Sequence, residues 1–281
     1  MPTLSWEIPE SLSEALEKRS RATGEDTETF VMRVLQRVLG KPLHTLFQVS
    51  TSRALVQGVY QEAVSSARLL CHGDFGLGTF DQLDGEMVIL QGVVYQIRSD
   101  GTVHRIDGDI GTPFATVLYF SPDVDVLVEG INSFAALCSI CDKHRDSQNV
   151  FYAFRVDGVF SSIHTRAMRR TQNGVSLKTA AVTQPEFRFE NVEGTLVGFW
   201  SPQFVASVDI PGYHFHFLSK DRTKGGHVLE CAGSNLSLQV ETVKELHLSL
   251  PDTEEFLRAD LTADVSKDLS AAEGNHSERN S

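Results

Sequence analysis

Apolar and polar residues alternate with period two through Tyr213-His214-Phe215-His216-Phe217. In a strand, successive side chains leave on opposite faces. Tyr213, Phe215 and Phe217 are therefore expected to pack on one side, while His214 and His216 project together from the other. A helix would splay the two imidazoles apart. The polar run from Lys220 to Gly226 reads as the loop of a hairpin, and a register that sets His216 opposite His227 brings three rings to one face at one end of the ladder.

Upstream, residues 3 to 8 alternate, with Leu4, Trp6 and Ile8 on one side and Thr3, Ser5 and Glu7 on the other. Pro9 opens a helix carrying Leu12, Ala15 and Leu16, which Gly24 ends. A second helix follows Asp26, and Phe30, Val31, Val34, Leu35, Val38 and Leu39 make its apolar stripe up to Gly40 and Pro42. From Leu43 the chain becomes short apolar strands punctuated by Asp84-Gly85, Gln91-Gly92, Asp100-Gly101 and Asp157-Gly158. These are hairpin signals separating runs such as Met87–Leu90, Val93–Ile97 and Phe151–Arg155. Asn132 to Arg145 reads as an amphipathic helix and Arg53 to Leu70 as a helical or mixed stretch. The last clear strand is Leu246 to Leu250. Phe256, Leu257, Leu261, Val265 and Leu269 then offer apolar anchors, and the tail from Ala272 has a disordered composition.

At 281 residues, 41% hydrophobic and 22% charged, the chain can bury a real core. It has no apolar run long enough to span a membrane, and its first residues lack the pattern of a signal peptide, so a cytoplasmic address is expected. A formal net charge of −12 disfavours nonspecific binding to nucleic acid or to an anionic membrane.

Three neutral imidazoles with an open fourth position are the ligand set of a catalytic zinc or another first-row divalent ion. The alternative is three unrelated histidines on a half-exposed strand. Cys138 and Cys141 fit the apolar stripe of a helix better than a second metal site, and the four cysteines do not make a disulfide scaffold. The glycine-dense stretch His72 to Phe80 matches neither a dinucleotide fingerprint nor a phosphate loop. Its glycines allow tight turns or close approach to a ligand. Glu86, just beyond it, would alone be an ordinary surface carboxylate.

Taken in order, these stretches resemble acetolactate decarboxylases. The resemblance is carried by His72–Phe80 running into Asp84-Gly-Glu-Met87, then Thr112-Pro-Phe-Ala-Thr116, His164-Thr-Arg166, Gln184-Pro-Glu-Phe187, Gly198-Phe-Trp200, and Pro211–His216 through Gly225-Gly-His227. It covers roughly residues 43 to 273. It implies an α+β fold, with an N-terminal mixed sheet and packed helices over 43–165, then a C-terminal antiparallel sheet over 166–281. It also implies a homodimer, zinc on His214, His216 and His227, a metal-site Glu86, a substrate-binding Arg166 and a C-terminal functional Glu273. The implied reaction converts (S)-2-acetolactate to (R)-acetoin and carbon dioxide, with protonation of an enediolate on one face and no organic cofactor.

Residues 1–42 lie outside that resemblance. Their strand-helix-helix order resembles the ribbon-helix-helix module of dimeric repressors, whose exposed strand face reads DNA with basic or amide side chains. Here that face offers Thr3, Ser5 and Glu7, and the segment holds six Lys/Arg against seven Asp/Glu. Dimerisation without DNA reading is the expectation for 1–42. The competing function is a ligand-sensing regulator, with a degenerate enzyme body and a DNA-binding N-terminus.

Overall fold

Two helices form where the N-terminal periodicity predicts them, α1 at Glu10–Thr23 and α2 at Thr27–Val38. The Pro9 carbonyl accepts from the Leu12 and Ser13 amides, and the Asp26 carbonyl accepts from Phe30. Ser20 is buried, its Oγ 3.2 Å from that of Thr27. The computed structural model describes residues 5, 7–23, 26–39, 43–262 and 268–269. Thr3, Leu4 and Trp6 of the expected first strand fall outside them, and Ser5, Glu7 and Ile8 have no strand structure. Of the α2 stripe, Phe30, Val31 and Leu35 are half-buried, while Val34, Val38 and Leu39 are exposed.

The chain divides into two units, one within residues 1–43 and the other from His44 onward. In chain order the second holds β1 (Thr45–Val49), α3 (Ser52–Val56), β2 (Val64–Ser65), α4 (Ser66–Leu70), β3 (Phe75–Thr79), β4 (Glu86–Leu90), β5 (Val93–Ile97), β6 (Val103–Ile106), β7 (Gly111–Thr112), β8 (Ala115–Leu118) and β9 (Val124–Ile131). It continues with α5 (Phe134–Asp142), β10 (Phe151–Arg166), α6 (Leu177–Ala181), β11 (Glu186–Ser201), β12 (Gly212–Ser219), β13 (Gly225–Val243), β14 (Glu245–Ser249) and α7 (Glu254–Arg258). No helix among the described residues is long and apolar enough to cross a membrane.

The fold is α+β with a mixed and an antiparallel sheet. Seven strands run in the order β14-β1-β8-β3-β4-β5-β6, with only the β1–β14 pair parallel. In the antiparallel sheet β10 pairs with both β11 and β13, β12 joins β11 to β13, and β9 lines the other edge of β13. The sheets do not succeed one another along the chain. The position 165/166 falls inside β10, β14 crosses back to the mixed sheet, and β9 joins the antiparallel one, because strand pairing is set by hydrogen bonding in space.

Strand alternation builds the layers. Val88 and Leu90 of β4 enter a core shared with Ala153, Val197, Phe199 and Leu218 of the antiparallel sheet, while Met87 and Ile89 pack on the opposite face with Phe47, Leu69 and Val117. Glu86 has the parity of Val88, which turns it toward the second sheet.

One local expectation is corrected. Asp157-Gly158 does not end a strand but lies within β10, because the Asp157 carboxylate is held by Arg155 Nε and by Thr195 Oγ1 across the ladder, each at 2.6 Å. His72–Phe80 supplies strand β3, in which a Cβ on Gly76 or Gly78 would stand 2.4 Å or 2.5 Å from a neighbouring carbonyl oxygen. Cys141 and Cys231 are buried, Cys138 half-buried and Cys71 exposed, and all four are free thiols.

Candidate functional site

Strand β12 is fixed by its apolar face. Phe215 and Phe217 are fully buried in a cluster with Phe134, Phe154, Phe160 and Leu196. Phe215 lies opposite Gly198 of β11, where a Cβ would come within 2.1 Å of its ring, so glycine at 198 lets the aromatic seat. With that face committed, His214 and His216 emerge on the other.

His216 pairs with His227 across the β12–β13 ladder, and His227 also pairs with Arg166 of β10. The strands close tightly here. Gly226 has a φ of +130°, and a Cβ on it would stand 2.6 Å from the Arg166 carbonyl oxygen.

The three rings converge. His214 Nε2 is 3.1 Å from His216 Nε2 and 3.1 Å from His227 Nδ1. His216 Nδ1 donates to the Met87 carbonyl at 2.8 Å, which ties β12 to β4 of the other sheet and leaves Nε2 of the neutral ring as a lone pair. Glu86 is buried, with one carboxylate oxygen 3.5 Å from His216 Nε2 and the other accepting from the Met168 amide at 2.9 Å. Arg166, also buried, places its Nη2 3.2 Å from His227 Nε2.

Burial holds His214 well below the ordinary histidine range, and the neighbouring His216 and Arg166 add to the shift. Burial likewise lowers His216 to about 4, against the pull of the Met87 carbonyl and with that of Arg166. Both rings are neutral at physiological pH. That is the form a metal requires.

The donor set fits a divalent cation. One ligand atom from each of His214, His216 and His227 lies within 4.8 Å of the others, with the Glu86 carboxylate alongside. His214 Nε2 carries at most one proton yet faces two ring nitrogens. A shared cation would satisfy all three at once, and a nitrogen-rich set with one oxygen suits zinc and its first-row neighbours.

These groups open on one cavity. Its polar lining is Thr79, Glu86, Arg166, Gln184 and the three histidines, and Leu55, Leu83, Phe114, Met168, Leu177 and Ile210 form an apolar wall. A buried guanidinium beside a cation site can take a carboxylate by two parallel hydrogen bonds, and the wall excludes water from a small organic acid. Of the residues predicted from sequence, His214, His216, His227, Glu86 and Arg166 are brought together here, and Glu273 lies outside the described residues. The apolar wall escaped sequence reading because its members come from separate segments and look like ordinary core. Phe114 within the Thr112–Thr116 motif, Leu83 just before Asp84 and Met168 two positions beyond Arg166 had a nearby signal.

The alpha-acetolactate decarboxylase family model matches residues 46–263. The chain belongs to that family. It is 41% identical over 229 residues to the alpha-acetolactate decarboxylase of Methanosarcina mazei, covering 81% of this chain and 80% of that protein. With the Methylococcus capsulatus alpha-acetolactate decarboxylase it shares 40% over 236 residues, 84% of this chain and 91% of that one. The crystal structure of the alpha-acetolactate decarboxylase from Bacillus subtilis strain 168 superposes with a TM-score of 0.79 at 34% identity, over 82% of this chain and all of that one. The family match includes every cavity residue named above and stops short of Glu273.

Proposed function

We propose that the protein decarboxylates (S)-2-acetolactate to (R)-acetoin and carbon dioxide, with zinc held by His214, His216 and His227. The reading is carried by one observation: three imidazoles, a buried carboxylate and a buried guanidinium meet on a single cavity in a chain of this family. When bound, the metal supplies Lewis-acid stabilisation of negative charge on oxygen.

The protein's own groups do the rest. Arg166 grips the substrate carboxylate and sets the breaking carbon–carbon bond perpendicular to the ketone plane, so that its electron pair enters the carbonyl system as carbon dioxide leaves. A grip on the departing charge alone would stabilise the ground state as well, so orientation is the useful part. The remaining enediolate takes one proton at the hydroxyl-bearing carbon that had carried the carboxylate, from one face, to give acetoin. Glu86 is one carboxyl within the site. Glu273 is the other candidate: Leu269 is buried with Leu55, Leu83, Phe114, Met168, Leu177 and Ile210, and Asp268 pairs with Lys178 at 3.0 Å. Four further residues reach about 14 Å when extended, which allows Glu273 to return to the cavity.

Residues 1–42 are assigned to joining subunits, supported by the apolar side chains that α1 and α2 leave exposed, Leu12, Met32, Val34 and Val38 among them. A cytoplasmic homodimer is the corresponding assembly.

The direct test is to incubate purified protein with racemic acetolactate and assay acetoin by chiral chromatography, with metal content measured on the same sample. About half the substrate should be consumed rapidly to (R)-acetoin. Absence of acetoin from metal-replete protein would sink the reading.

A further inference from the structure

Gln184 sits on the short connection between α6 and β11, and the backbone on both sides of it is pinned. The Pro185 carbonyl accepts from the Ala167 amide at 3.2 Å, and the Thr183 carbonyl accepts from Arg169 Nε at 2.7 Å. Both donors lie just past Arg166, and Arg166 itself pairs with Glu186 in the β10–β11 ladder. Gln184 is thereby fixed over the end of the ladder that carries the guanidinium, and it lines the same cavity.

Its side-chain Oε1 is buried and accepts no hydrogen bond among the described residues. An acceptor in that condition is costly, and native proteins seldom keep one without a use. The other polar groups of the cavity each meet a protein partner. One Glu86 oxygen takes the Met168 amide and the other faces His216, while Arg166 offers only donors. The ring nitrogens of His214, His216 and His227 face one another. A ligand whose carboxylate meets Arg166 and which also carries a hydroxyl on the adjoining carbon brings an O–H that needs an acceptor.

We propose that Gln184 is a substrate-orienting residue that recognises the hydroxyl of a 2-hydroxy acid through its side-chain oxygen. The proposal rests on the acetolactate reading for the choice of acid. It adds a specificity element, since the buried acceptor is satisfied by a hydroxyl at that carbon and left stranded by an alkyl group. Sites built to hydrogen-bond a substrate hydroxyl reject its absence more strongly than apolar pockets reject a methylene.

The test uses calorimetric binding of two unreactive acids to full-length, zinc-loaded protein: 2-hydroxy-2-methylbutanoate, and 2,2-dimethylbutanoate, in which a methyl replaces the hydroxyl. The unaltered protein should prefer the hydroxy acid by roughly 10- to 100-fold, the range of one well-made buried hydrogen bond. In Gln184→Met, which keeps length and removes the acceptor, that preference should collapse to within about 3-fold. In Gln184→Glu both affinities should fall through repulsion of the ligand carboxylate, while the preference survives because an acceptor remains. The proposal is overturned if the unaltered protein shows no preference, if Gln184→Met retains it, or if Gln184→Glu loses it. Turnover of acetolactate by the unaltered protein is followed in parallel. Lack of acetoin together with intact hydroxyl discrimination would remove the acetolactate reading and leave the role of Gln184 standing.

Discussion

Arg166 and His227 face one another twice, as backbone partners across β10 and β13 and through a 3.2 Å contact between Nη2 and Nε2. The group assigned to the substrate carboxylate is thus held in register with a histidine assigned to the metal. Arg166→Lys replaces a planar fork by a point charge on a flexible stem, so both kcat and KM should worsen, with kcat/KM down by on the order of 100-fold. Steady-state kinetics on acetolactate check this. A raised KM with unchanged kcat would show that Arg166 only attracts the acid.

Replacing His214, His216 or His227 singly by Ala leaves two ring nitrogens where three converge. Metal content and turnover should fall together, by more than the roughly 10- to 100-fold that loss of an outer partner costs a metal site. Plasma emission spectroscopy and acetoin assays on the same preparations decide it. Full turnover in a metal-free triple variant would end the metal reading.

Stripping metal with a chelator exposes a pH dependence of stability with a definite sign. Unfolded histidine takes up its proton near 6.5, whereas folded His216 resists until about 4 and folded His214 also titrates well below 6.5. Between those limits the unfolded state binds more protons, so stability rises with pH and is lost as pH falls through the window. The part due to His216 is on the order of 3 kcal/mol. Urea unfolding of chelated protein at pH 7 and pH 5 should show the loss, and His216→Gln should flatten it. An unchanged slope in that variant would refute the assignment.

Truncation after Ala271 removes Glu273, while truncation after Asn275 spares it. The shorter chain should lose turnover strongly and keep its zinc; the longer one should behave like the full chain. Equal turnover in both would return the proton to Glu86.

Deleting residues 1–42 should lower oligomer stability at dilution, read by sedimentation, while metal content and turnover per chain hold. Salt-sensitive, sequence-specific binding of the full chain to a DNA duplex would overturn the subunit-joining role.

What the sequence made legible was local. Alternation through 213–217 predicted which β12 side chains enter the core, the Gln91-Gly92 turn delimited β5 to the residue, and the last strand fell within one position of β14. What stayed hidden depends on partners far along the chain. Leu257 has the spacing of an apolar anchor yet is exposed, because α7 is short and only Phe256 faces Ala54 and Val59. Glu86 could be read as a surface carboxylate until β4 is known to face the other sheet, and the Gln184 oxygen has meaning only once its surroundings exist.

The pairing of β14 with β1 bears on how the protein is made. Thr45 meets Glu245, so the first strand of the mixed sheet gains its outer neighbour from almost the last one synthesised. At translation rates of about 5 to 20 residues per second, that edge stays open on the ribosome for roughly 10 to 40 seconds. During that interval an unpaired strand with apolar residues on both faces can recruit the wrong chain. Substitutions that weaken β14 should therefore show first as poor yield and aggregation during expression, in molecules whose finished site is intact.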